Sequence, residues 1–78
     1  MDKAAIIARL QELEYDKYWY ALLTDEMNET SHAMVIEPSD RYKDEYRVTW
    51  NNIGIHGAAS KQDALEVVGL LYLLASKP

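Results

Sequence analysis

The sequence predicts an α+β fold: a small antiparallel sheet of three or four strands with an N-terminal and a C-terminal helix on one face, in the order α-β-β-β-α. Three observations carry this. Both ends of the chain repeat apolar residues at helical spacing, the middle alternates with a period of two around "YRVTW", and asparagine, glycine and proline punctuate the segments between. Residues 1–78 make one domain, close to the smallest size at which a single core keeps a chain folded.

The first helix follows from Asp2, an N-cap residue type, and from Ile6, Ile7, Leu10 and Leu13, with Lys3, Arg9, Gln11 and Glu12 on the opposite side. Continuing that stripe places Glu14 and Lys17 where apolar groups are needed, so the period changes there. From Lys17 a strand is expected. It sets Tyr18, Tyr20, Leu22 and Thr24 on one face and Trp19, Ala21 and Leu23 on the other. A helix running on to Leu23 is the competing reading over so short a stretch.

Asp25 to Ser31 is polar and turn-like, and "HAMVIEP" reads as a strand ending at Pro38. After the charged loop "SDRYKDE", Tyr46, Val48 and Trp50 alternate with Arg47 and Thr49, the pattern of a strand with one solvated face. Asn51-Asn52 suits a two-residue hairpin turn, with "IGIHG" returning beside it. Ser60 with Asp63 three residues on opens the last helix, "SKQDALEVVGLLYLLASK". Its stretch from Val67 to Ala75 carries no charge on any face, which calls for burial all round. In so small a domain one side of that helix is expected to meet another chain, with Leu70, Leu71 and Leu74 as the self-association residues. A glycine inside a helix costs about 1 kcal/mol relative to alanine, so Gly69 is read as a point of close backbone approach.

Composition narrows the context. There is no cysteine, so neither disulfides nor thiolate metal sites stabilise the chain. No signal peptide or membrane anchor is expected from "MDKAAIIARLQELE", and the simplest location is the cytoplasm. Thirteen acidic residues against eight basic give a net charge of −5, which repels phosphate backbones and attracts basic proteins. The acidity is concentrated: eight carboxylates and one lysine lie between Leu10 and Asp40.

Catalytic chemistry finds little support in the sequence. His32 and His56 are the only histidines, each read as a strand residue near a loop, with an acid–base or metal-ligand role as the alternative. Ser31 beside His32 points to the opposite face of a strand and makes no triad. No HxxxH, ExxH or cysteine pair occurs, and the three glycines form no phosphate-cradling loop. No enzyme activity, cofactor or metal is therefore expected, and a concave pocket holding either histidine is the feature that keeps an enzyme in consideration.

Two resemblances bear on nucleic acid. "GAASKQDA", Gly57 to Ala64, resembles the strand-to-helix junction of double-stranded RNA-binding domains, where a serine and paired lysines open the last helix, and the order α-β-β-β-α is also theirs. The resemblance implies RNA contact through Lys61. Gln62 stands at the second lysine position and Leu65 follows the alanine, so most of the RNA-contacting charge of that family is missing. Separately, "YRVTW" through Ile53-Gly54 to "SKQDALE" is similar to the strand, glycine turn and helix start of HicB-type antitoxins, over less than half of the chain. A degenerate nucleic-acid-binding or antitoxin-like domain using Arg41, Lys43, Arg47 and Lys61 is thus the alternative expectation. Its weakness is that Asp40, Asp44 and Glu45 neutralise the one basic cluster.

The leading expectation is a small acidic non-enzymatic protein–protein interaction domain that also forms homo-oligomers. Its sharper form is an inhibitor or nucleic-acid mimic acting on a basic, nucleic-acid-handling protein. Tyr18, Tyr20, Asp25, Glu26 and Glu29 are the residues expected to meet that partner, since tyrosines give large contact area and carboxylates stand where phosphates would.

Overall fold

The computed structural model describes residues 2–15 and 34–75, apart from the side chain of Ala58. Helix α1 (Lys3–Glu12) is followed by strands β1 (Met34–Pro38), β2 (Tyr46–Trp50) and β3 (Ile53–Ala59), and then by helix α2 (Lys61–Ala75). The chain is thus an α+β domain in the order α-β-β-β-α, its sheet running antiparallel as β1-β2-β3 among the described residues. The strand expected over Tyr18 to Thr24 lies outside them, as do Tyr20, Asp25, Glu26, Glu29 and His32.

Each helix starts where its capping residue stands. The Asp2 carboxylate accepts a hydrogen bond from the Ala5 amide at 2.8 Å, and the Ser60 hydroxyl accepts one from the Asp63 amide at 3.1 Å. The end of α1 is equally specific. The Glu14 amide donates to the Gln11 carbonyl (3.0 Å) and the Tyr15 amide to the Leu10 carbonyl (2.9 Å), while Glu14 takes a left-handed φ of 62°. That pairing is the Schellman cap, with Glu14 in the place glycine usually occupies and Tyr15 folding back into the core beside Leu10. A single helix from Lys3 to Leu23 is therefore not formed, and the period change at Glu14 marks a true terminus.

The hairpin between β2 and β3 closes as the asparagines suggest. Trp50 pairs with Ile53, and Asn51 and Asn52 have φ of 50° and 64°, the two positive values that match the twist of a two-residue hairpin. In the 39–45 loop the Ser39 hydroxyl accepts from the amides of Arg41 and Tyr42, and the Ser39 amide donates to the Glu45 carbonyl.

Alternation then sorts the sheet. Met34 opposite Trp50 and Ile36 opposite Val48 face the helices, whereas Val35 opposite Thr49 and Glu37 opposite Arg47 face outward. Between β2 and β3 the register shifts on either side of Val48, which is paired with His56, so Ile55 is buried in the core while His56 reaches Tyr15 beyond the end of α1. Ile6, Leu10 and Tyr15, then Val48, Trp50 and Ile55, then Ala64, Val67, Leu70, Leu71 and Leu74 form one cluster. Arg9 clamps the two helices with a bidentate pair, its Nε 2.6 Å and its Nη2 2.9 Å from the Glu66 carboxylate.

Candidate interaction surface

Helix α2 has two leucine stripes, and only one of them faces the sheet. Leu70, Leu71 and Leu74, the expected self-association residues, are 5%, 0% and 3% exposed within the chain's own core. That assignment is corrected: those side chains are spent on the sheet and on α1. The outward stripe consists of Leu65 (55% exposed), Gly69, Tyr72 (45%) and Leu73 (46%). Leu65, Gly69 and Leu73 stand four apart and Tyr72 three after Gly69, so the four positions share one face of a helix.

Gly69 lies exposed within that stripe. A Cβ built there meets nothing within 4 Å, so among the described residues no backbone approaches it closely and none gives the helix a packing reason for a glycine. On one side the stripe is bordered by β1, where the Tyr72 hydroxyl accepts a hydrogen bond from the Met34 amide at 3.1 Å. On the other side stands the Arg9–Glu66 pair, whose Glu66 carboxyl is held below its usual range by the hydrogen bonds from Arg9. Between these borders the face is uncharged. Among the described residues no helix is long and apolar enough to cross a membrane.

His56 occupies the one concavity in which sequence reasoning placed interest. Glu12, Leu13, Glu14, His56, Gly57, Ala59 and Asp63 line a hollow of about 220 Å³ where the end of α1, β3 and the start of α2 meet. The imidazole packs on the Tyr15 ring with centroids 5.9 Å apart. Half-burial pushes its pKa below the usual value, more strongly than the nearby carboxylates of Asp63 and Glu14 raise it. A neutral imidazole there is able to accept a proton, but among the described residues the lining supplies no serine, threonine, cysteine or lysine for it to activate. No group of three or more metal-ligating side chains comes together among the described residues.

A second, shallower hollow of about 370 Å³ lies on the outward sheet face, lined by Glu37, Arg47, Thr49, Asn52 and Gly54. Here Arg47 is held by Glu37 at 3.1 Å and by Asp40 at 3.7 Å. Of the basic residues proposed for nucleic acid, Arg41, Lys43 and Lys61 are exposed. Arg47 faces away from the helix-bearing side that carries Lys61, and its charge is already met by two carboxylates.

No protein-family model, curated protein or solved structure matches this chain. The order of elements shared with double-stranded RNA-binding domains therefore carries no family membership. The site rests on its own geometry.

Proposed function

We propose that the chain is a small non-enzymatic protein–protein interaction domain that self-associates through the outward face of α2. The observation that carries this reading is the uncharged stripe of Leu65, Tyr72 and Leu73 around a glycine with open space above it. An exposed run of large apolar side chains on one helix face loses contact with water when a matching surface covers it. Mass by light scattering over a dilution series tests the proposal. The expected result is a weight average that rises above the monomer's 9.0 kDa as concentration increases, and that falls back when Leu73 is replaced by Glu. A monomer at every concentration up to the millimolar range would refute it.

A basic protein as second partner has separate support. Net charge is −5, and the described carboxylates of Glu12, Glu14 and Asp63 converge on the concavity beside His56. Tyr18, Tyr20, Asp25, Glu26 and Glu29, outside the described residues, complete the residue set of the inhibitor reading. Binding of that kind weakens steeply with ionic strength. Affinity that is the same in low and high salt, or that survives neutralising Asp25, Glu26 and Glu29, would remove the inhibitor reading while leaving self-association standing.

A further inference from the structure

We propose that His56 is an acid-operated switch at the end of α1: on taking a proton its imidazole leaves the Tyr15 ring, turns into the hollow toward Asp63 and Glu14, and loosens the helix cap that Tyr15 closes. Both positions of the ring are built into the fold. In one it lies against Tyr15, with centroids 5.9 Å apart and planes inclined by 35°. The other is the hollow of about 220 Å³ that the imidazole already borders, with Glu12, Glu14 and Asp63 on its walls.

Proton uptake changes which position is favoured. A neutral imidazole packs on an aromatic ring and tolerates half-burial, whereas an imidazolium loses hydration there, so burial disfavours the charged ring in the stacked position. Opposite charge stands close by. Asp63 from α2 and Glu14 from the end of α1 attract the charged ring across space, without a hydrogen bond to it while it is stacked. Glu12, the third carboxylate of the hollow, is already engaged by Arg9 at 2.9 Å. The other neighbours add no charge: β2 sets Val48 opposite His56, and among the described residues no basic side chain lines the hollow. Turning toward Asp63 and Glu14 therefore exchanges a desolvated cation for a paired and better solvated one.

The cap is coupled to this movement through Tyr15. Its side chain is buried, and its amide closes the turn on the Leu10 carbonyl at 2.9 Å, one residue after the left-handed Glu14. Burial of Tyr15 is what holds that turn against the cost of a left-handed residue with a side chain. Withdrawing the imidazole uncovers part of the Tyr15 ring, so the last turn of α1 opens more often. A ring that binds its proton more tightly in the turned position shifts the balance between the positions by up to about tenfold for each pH unit separating their two pKa values.

Nuclear magnetic resonance on the full chain from pH 8 to 5 tests the switch, in a His32→Gln background where His56 is the only histidine. The nuclear Overhauser contact between the Tyr15 and His56 rings should fade as the imidazole titrates. Over the same range the Tyr15 amide should lose protection against hydrogen exchange, corrected for the intrinsic effect of pH, by about three- to tenfold per pH unit. His56→Gln should hold that protection constant. Asp63→Asn combined with Glu14→Gln removes the charges that receive the ring, and should move the titration to lower pH and preserve the ring contact along with it. A ring contact that persists after protonation, a titration that the double variant leaves in place, or protection that falls equally in His56→Gln would each overturn the inference. So would an imidazole still neutral at pH 5.

Discussion

Replacing Leu71 by alanine distinguishes a core α2 leucine from an interface one. Leu71 is fully buried in the cluster formed with Ile6, Leu10, Val48 and Val67. Truncation removes three methylene-sized groups at about 0.8 kcal/mol each, or about 2.4 kcal/mol of transfer free energy. The cavity left behind adds to this, and buried leucine truncations in general cost about 2–5 kcal/mol. A domain of this length holds roughly 4–12 kcal/mol in total. The variant should therefore lose about a fifth or more of its stability, read as a lower urea midpoint by far-UV circular dichroism. The loss should be the same at low and high protein concentration, because it belongs to the monomer. Leu73→Ala, almost half exposed, should stay within about 0.5 kcal/mol at low concentration. If Leu71→Ala instead cost less than about 1 kcal/mol and abolished association, the assignment of the two stripes would be reversed.

Two further substitutions follow from local geometry. Glu14→Gly relieves a left-handed residue in the Schellman cap and should stabilise the fold by about 1 kcal/mol, raising the melting temperature by ~4–8 °C; no change would mean the cap does not hold in solution. His56 has a folded-state pKa below its unfolded value, so the unfolded chain binds its proton first as pH falls. Its contribution is fully present above pH ~6.5 and is lost as pH drops from there toward the lower folded-state value. Denaturation midpoints measured from pH 8 to 5 should decline less in His56→Gln than in the parent chain, and equal slopes would contradict the burial.

Much of the fold could be read directly. Asp2 and Ser60 cap the helices they precede, "YRVTW" is β2 residue for residue, and Asn51-Asn52 makes the turn between its neighbours. Each of these depends on interactions within four residues or on a period of two, which a linear sequence displays. The end of α1 was visible as a break in the apolar stripe. That Glu14 would take the glycine position of its cap was not, because tolerance of a left-handed residue depends on Tyr15 being drawn into the core.

The interaction surface was only half legible. "VVGLLYLLA" announces a helix with more apolar surface than one sheet can cover, and that surplus is real. Which stripe faces outward is ambiguous within that stretch, because leucines stand on both sides. A signal was present one turn earlier: Lys61, Gln62 and Leu65 lie on the side opposite Ala64 and Val67, and following their spacing forward reaches Gly69, Tyr72 and Leu73. Nor could the sequence show that β3 shifts register around Val48, bringing His56 into a hollow with Glu12, Glu14 and Asp63 from two different helices.

By itself, then, the sequence determined the α+β class, the element order, the caps, the hairpin turn and the excess of carboxylates, all of which follow from local periodicity and composition. Only the tertiary structure decided which side of α2 is core. That choice is made by the sheet and by the Arg9–Glu66 clamp between residues 57 positions apart. Burial is a property of packed neighbours, and a helix with leucines on both sides is assigned its inside and outside only when those neighbours arrive.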